Sequence, residues 1–296
     1  MTTKTAPELI TPAQRVTPAQ RAQFENEGYL ILPRVLSPDE IADARRELNR
    51  LVDAHARRLQ ERRLISDPLE EEPFETRLLR LYEPHLEEAP NSFREELHLA
   101  GLFPIFFNHR VLDVVEAFLG PEIRLYPNYT VRPKLPDHAQ SLVLWHQDGG
   151  YTAVNSAQSA GRDVGELRML NVWSPLVPAH RQNGCMQFVP GTHKLGVVPH
   201  EKREFYLEIA ADYLRPREAD AVDIELEPGD IVLFHNLLFH RGLPNLSRSI
   251  RWSLDWRYQD ATQDTLRRDK GHIARSRQDP QRAIRSAREW TATCFQ

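Results

Sequence analysis

Apolar positions recur at helical spacing along the first 120 residues, and from about residue 123 they contract into short runs separated by turn residues. The chain therefore divides into a helical N-terminal part and a β-rich remainder. Thr17-Pro18-Ala19-Gln20 predicts a capped helix start with proline at the first helical position, running to about Glu27 and stopped by Gly28. Residues 29–32, Tyr-Leu-Ile-Leu, predict a buried strand closed by Pro33. Ser37-Pro38-Asp39-Glu40 predicts a second start, with Ser37 as cap and Glu40 three positions on. Ile41, Ala44, Leu48, Leu51 and Val52 then extend an amphipathic helix to about Leu59. A third helix is predicted over 103–119, on the stripe Val111, Val114, Val115 and Phe118, ending at Gly120-Pro121.

Strands are predicted over 123–133, 142–146, 169–173, 186–189, 222–226, 231–234 and 249–258, the count expected of a sandwich or barrel. Residues 1–16 carry little pattern and predict a loose arm. The charged stretch 61–96, with Glu70-Glu71-Glu72 and scattered apolar residues, suits either a lid over a site or a helix-loop packed outside. The insert 152–168 is small and polar, as expected of a pocket-shaping or mobile segment. After Gln259 the chain turns arginine-rich and reads as helical from about Thr262, broken at Asp279-Pro280. The expected layout is one domain over 1–296: arm 1–16, helical region 17–122, β core 123–258 and C-terminal helical extension 259–296.

Composition narrows the class. A formal charge of -4 over 296 residues and a pI near 6.3 give no electrostatic reason to expect nucleic acid or an anionic membrane as partner. No long uncharged apolar run exists, and the first residues lack the basic-then-apolar layout of a secretory signal. Cys185 and Cys294 stand far apart in no CxxC spacing, against both a disulfide framework and a structural zinc site. The expectation is a soluble cytoplasmic protein in a reducing compartment, with a small molecule as partner.

The chemistry concentrates at residues 141–151, Ser-Leu-Val-Leu-Trp-His-Gln-Asp-Gly-Gly-Tyr. In an extended strand positions i and i+2 share a face, so His146 and Asp148 can grip one ion at the end of an apolar strand. A histidine from elsewhere would complete the two-histidine, one-carboxylate arrangement that leaves positions open on non-haem Fe(II). Residues 227–242 hold two histidines, His235 and His240, and Arg251 follows His240 by eleven positions. Strand parity does not choose between the two, which lie five residues apart.

HisGlnAsp at 146–148, Asn183-Gly184-Cys185 leading to Val189-Pro190-Gly191-Thr192-His193-Lys194, and Gly229-Asp230 leading to Phe234-His235 and His240 together resemble the phytanoyl-CoA dioxygenase family. The Glu-Gly-Tyr-Leu at 27–30 resembles that family's opening, and the likeness runs over roughly residues 17–258. It implies a mainly β fold: a double-stranded β-helix (jelly-roll, cupin-like) core with packed N-terminal and C-terminal helices. The activity implied is that of an oxygenase using Fe(II), 2-oxoglutarate and dioxygen. It would hydroxylate an aliphatic carbon of a small molecule while 2-oxoglutarate becomes succinate and CO2.

By motif position the resemblance makes His146, Asp148 and His240 the metal ligands and His235 the histidine that does not bind. It makes Arg251 the partner of the distal carboxylate of 2-oxoglutarate, by a bidentate grip. Trp173 lines the cosubstrate pocket, and Thr130 is a candidate hydrogen-bond donor to the cosubstrate. Many relatives carry a hydroxyl two residues after the distal histidine, where this chain has Gly242. The carboxylate of Asp148 favours hydroxylation over halogenation, for which relatives put a small residue there.

Tyr151 and Arg257 read equally as substrate-facing or structural. His193 and His200 read as turn or surface residues, and Cys185 as a small core residue. Two other functions compete: a cupin-like metalloenzyme that does not use 2-oxoglutarate, and a non-catalytic binding module on the same barrel.

Overall fold

The structure is a computed structural model and describes residues 16–155, 164–203 and 206–295. Its helices are α1 (Pro18–Glu27), α2 (Pro38–Glu61), α3 (Arg77–Tyr82), α4 (Phe103–Phe106), α5 (His109–Leu119), α6 (Asp148–Asn155), α7 (Ala211–Leu214) and α8 (Ala287–Thr291). The first two start as the sequence predicts. Thr17 and Ser37 each close a capping box, with Gln20 and Glu40, and Gly28 ends α1 in the left-handed conformation.

The strands are β1 (Tyr29–Leu32), β2 (Glu122–Leu125), β3 (Thr130–Lys134), β4 (Val143–His146), β5 (Met169–Pro175), β6 (Met186–Val189), β7 (His200–Lys202), β8 (Leu207–Ile209), β9 (Val222–Ile224), β10 (Ile231–His235), β11 (Phe239–Gly242), β12 (Arg251–Asp260) and β13 (His272–Ser276). Seven form a sheet in the order β1-β10-β5-β12-β2-β13, with β3 also paired to β12. Four form a second sheet, β4-β11-β6-β9, and β7 and β8 make a hairpin. All the pairs are antiparallel. This is the cupin-like jelly roll expected from the sequence.

Strand β12 shows how the large sheet separates its faces. Trp252, Leu254, Trp256 and Tyr258 point outward into a core shared with α2, α3 and α5, where Leu48, Val52, Leu78 and Val115 are buried. Arg251, Ser253, Asp255 and Arg257 alternate with them and point between the sheets. A second, smaller core of Trp173, Val232, Phe234, Phe188, Ile224 and Leu243 fills one end of the space between the sheets.

Four sequence-based expectations need correction. The helix predicted over 103–119 is two, because Asn108 leaves helical geometry and caps α5 with its side chain. The run 123–133 is two strands, β2 and β3, with residues 126–129 bridging them. The C-terminal extension is not mainly helical. Residues 272–276 form β13 on the edge of β2, and helix is confined to α8 and one 3-10 turn. Two of its arginines are held by ion pairs: Arg275 reaches Asp113 and Glu116 at 2.8 and 2.7 Å, and Arg277 reaches Glu116 at 2.8 Å.

Stretch 61–96, finally, is no lid. Its Phe74, Leu78, Leu81 and Phe93 are buried on the outer side of the large sheet, with Phe74 stacked on Trp252 at 4.9 Å. Of the N-terminal arm, only Val16 is described, and it packs against the core; residues 1–15 lie outside the described residues. So do 156–163 of the insert, whose first residues, 152–155, continue α6.

Candidate metal centre

Register brings the first two imidazoles together. In the β4–β11 pair His146 lies directly opposite His240, so both rings point to the same face, with centroids 4.0 Å apart. The register slips by one residue between His240 and Gly242, an irregularity of the kind that re-aims side chains near active sites. The sequence argument for Asp148 had the right neighbour by the wrong geometry. The strand stops at His146, and Asp148 is the first residue of α6. The chain turns there, and the carboxylate still faces both rings, each oxygen 3.7 Å from one Nε2: Oδ1 from His146 and Oδ2 from His240.

Each ring is held in one tautomer. Nδ1 of His146 lies 2.8 Å from the Leu144 carbonyl oxygen and Nδ1 of His240 lies 2.8 Å from that of Leu238, so the proton sits on Nδ1 and the Nε2 lone pair is free to point inward. Candidate ligand atoms of the three residues fall within 4.8 Å of one another. Burial pushes His240 down to about 3, which keeps it neutral. Burial alone would raise the Asp148 carboxyl, but the charge of Arg257 and the two imidazoles outweigh it and hold the group well below the usual carboxylate range. Two imidazoles whose Nδ1 atoms are committed to carbonyls, together with one ionised carboxylate, are a donor set that fits a divalent metal with sites left open.

Four further residues support this cluster, and two of them, Asn171 and Gln147, have no role assigned from the sequence. Arg257 donates to Asp148 Oδ1, and Asn171 donates to Oδ2 at 2.8 Å. The two are cross-strand partners between β12 and β5, so one register step aims both at the carboxylate. Gln147, fully buried, donates to the carbonyls of Gly196 and Leu237 at 2.8 and 2.7 Å and accepts from the Val198 N–H at 2.9 Å. His200 is not a simple surface residue: its Nε2 accepts the Gln147 backbone N–H at 3.1 Å, which fixes the chain between the two ligand candidates. The sequence contains a signal for Asn171, a polar residue two positions before Trp173 in an apolar strand, but nothing in spacing ties it to Asp148.

The cluster opens on a cavity lined by His146, Asp148, His240, Trp173, Arg251 and Arg257 among others. Arg251 is buried, donates to Ser253 Oγ, and has an Nε with no partner; its guanidinium lies 5.3 Å from the centre of the Trp173 ring. No acid pairs with it among the described residues. Burial lowers it to about 10, so it stays a cation.

The remaining expected site residues fall elsewhere. Thr130 is buried on the face of β3 that carries Arg132, with its hydroxyl unpartnered, but it does not line this cavity. Tyr151 sets its ring edge-on to His146 at 5.4 Å and accepts the Leu207 N–H at 3.0 Å, tying the β7–β8 hairpin to the site without facing the cavity. Arg257 reaches the cavity through its grip on Asp148. His235 sits against His193, 5.2 Å away, and accepts the Leu237 N–H; it is not part of the cluster.

Comparisons with known proteins show the family and the fold. The phytanoyl-CoA dioxygenase (PhyH) family profile matches residues 24–253. Among curated relatives, a 1-deoxypentalenic acid 11-beta-hydroxylase of Streptomyces arenae is 33% identical over 171 residues, covering 53% of this chain and 56% of its own. A probable phytanoyl-CoA dioxygenase of Caenorhabditis elegans is matched over 60% of its length, so the chain spans little more than half of these two relatives. The peroxisomal phytanoyl-CoA dioxygenase of Rattus norvegicus is 22% identical over 291 residues, covering 93% of this chain and 80% of that one. Among solved structures, EctD from S. alaskensis with bound Fe superposes with a TM-score of 0.60 at 20% identity, covering 90% of this chain and 89% of that one. At that identity the likeness is one of fold.

Proposed function

The chain belongs to the phytanoyl-CoA dioxygenase family, and from that premise we propose that it is a non-haem Fe(II)- and 2-oxoglutarate-dependent oxygenase. It hydroxylates an aliphatic carbon of a small-molecule substrate and releases succinate and CO2. The observation that carries this reading is the convergence of His146, Asp148 and His240 on one point with the uncompensated Arg251 in the same cavity. A metalloenzyme that dispensed with 2-oxoglutarate would leave a buried guanidinium without a counter-ion, at a desolvation cost with nothing in return.

Fe(II) bound by these three residues supplies the activation of dioxygen that the oxidation requires. The protein's part is placement. His146 and His240 present Nε2 because each Nδ1 is already committed to a carbonyl. Arg257 and Asn171 fix the Asp148 carboxylate and keep it ionised. Arg251, its guanidinium 5.3 Å from the centre of the Trp173 ring, would hold the distal carboxylate of 2-oxoglutarate by charge-assisted hydrogen bonds.

A small-molecule substrate is in keeping with the Streptomyces relative named for 1-deoxypentalenic acid. No helix among the described residues is long and apolar enough to cross a membrane.

Anaerobic addition of Fe(II) and then 2-oxoglutarate should give the weak visible charge-transfer band of a chelated 2-oxo acid. A small-molecule screen scored by succinate, with Asp148→Ala as control, would then find the substrate. Absence of both the band and any 2-oxoglutarate binding would overturn the proposal.

A further inference from the structure

Arg251 has a second buried cation beside it. Lys134 is its direct cross-strand partner in the β3–β12 pair, so the two side chains leave the sheet on the same face, side by side. Lys134 is 3% exposed, and its only hydrogen bond runs to the backbone carbonyl of Ser141 at 2.9 Å; no acid is paired with it among the described residues. Like charges opposite each other on a sheet are destabilising, and a buried ammonium costs more unless an anion answers it.

The opposite sheet has been cleared to admit this side chain. A Cβ at Gly184 would lie 2.6 Å from Lys134 Cε and 2.8 Å from Cδ, so the stem runs directly over that glycine. A Cβ at Gly242 would lie 3.3 Å from Nζ itself. Gly242 is two residues from His240, on the same face of β11, and it lines the metal-site cavity. The ammonium thus ends beside Gly242, next to Arg251.

We propose that Lys134 is the second cation of the 2-oxoglutarate subsite: its ammonium, with the guanidinium of Arg251, binds the distal carboxylate, and the glycine at 242 is the space it needs. This rests on the oxygenase reading above. The other cations near the cavity are already answered, Arg257 by Asp148 and Arg132 by Asp255 at 2.7 Å, so the surplus positive charge sits on the Arg251–Lys134 pair. Burial, together with the charges of Arg251 and Arg132, pushes Lys134 well down from its ordinary value. An anion held between the two cations reverses both effects.

The test is binding, not turnover. Fe(II)-loaded protein is titrated anaerobically with 2-oxoglutarate and with 2-oxopentanoate, which keeps the chelating end and replaces the distal carboxylate by a methyl group. Lys134→Met should weaken 2-oxoglutarate about 10- to 100-fold, the range of a lost charge-assisted hydrogen bond, and leave 2-oxopentanoate unchanged. Adding Gly242→Ser to Lys134→Met should restore part of the loss by returning a hydroxyl.

Should Lys134→Met not fold, Gly242→Ser alone serves. With the ammonium and the carboxylate sharing that space, it changes 2-oxoglutarate affinity more than twofold and spares 2-oxopentanoate. Unchanged 2-oxoglutarate affinity, or equal loss for both acids, overturns the role of Lys134 and leaves the oxygenase reading standing. Failure of the unsubstituted protein to bind 2-oxoglutarate overturns both.

Discussion

The two faces of β12 were built for different ends. Outward, Trp252 stacks on Phe74 and Phe93 at 4.9 and 6.1 Å and donates its Nε1–H to the Phe74 carbonyl, while the Tyr258 hydroxyl donates to the Phe106 carbonyl at 2.6 Å. That face is closed and largely satisfied within the protein. Inward, the same ten residues present Arg251, Ser253, Asp255 and Arg257, of which Arg257 and Asp255 find partners of opposite charge and Arg251 does not. One strand therefore carries the fold on its even-numbered positions and the chemistry on its odd-numbered ones.

If that division is real, a substitution on one face should spare the property of the other. The largest expected effect on folding is Trp252→Ala, about 3–5 kcal/mol of stability lost in urea unfolding, the range for a large buried aromatic cut to alanine. Metal affinity of the protein that remains folded should be unchanged, and a changed affinity without loss of stability would break the comparison. His240→Ala is the mirror experiment. Fe(II) affinity should fall more than the roughly 10- to 100-fold of an outer-shell change, with a smaller loss of unfolding free energy than Trp252→Ala.

Arg257→Met sharpens the point, since Arg257 touches the cluster only through Asp148. Metal affinity should drop about 10- to 100-fold and recover in part in Arg257→Lys. No change would mean that the Asp148 carboxylate needs no external grip.

Legibility from sequence followed the same division. Helix α2 was readable to within two residues because its cap, its proline and its apolar stripe are all local. The outer face of β12 was readable as alternation. The triad was readable because HisGlnAsp is contiguous and His240 belongs to a motif.

What escaped depends on partners far along the chain. Strand β13 was taken for helix because arginines at 275 and 277 look solvated until Glu116, about 160 positions away, is brought beside them. Strand β11 was passed over because Phe-His-Arg-Gly has no alternation and follows β10 after only three residues. Arg257 and Asn171 acquire meaning only when register aims them at Asp148, and Lys134 only when two glycines of the other sheet leave room for it.

The smallest expected effect concerns acid, and it belongs to the outer side. His98 stacks on Trp290 at 3.9 Å, with Nδ1 2.7 Å from the Thr293 hydroxyl and Nε2 2.8 Å from the Tyr129 hydroxyl, so it ties the C-terminal residues to the body of the protein. Burial, helped by the nearby His272, lowers it to about 4. A base whose folded value is depressed is held neutral in the native state. Between an unfolded value near 6.5 and about 4, the unfolded chain binds the extra proton and the folded one does not. Stability should therefore fall as pH drops through that window and level off for this group below it, by about 1 kcal/mol once partial solvent screening is allowed for. His98→Gln removes the titration while keeping a donor and an acceptor, so urea unfolding at pH 7 and at pH 4.5 should show a shallower pH dependence in the variant than in the parent. Equal slopes would place the acid sensitivity on the inner face instead, with His240 the first group to test.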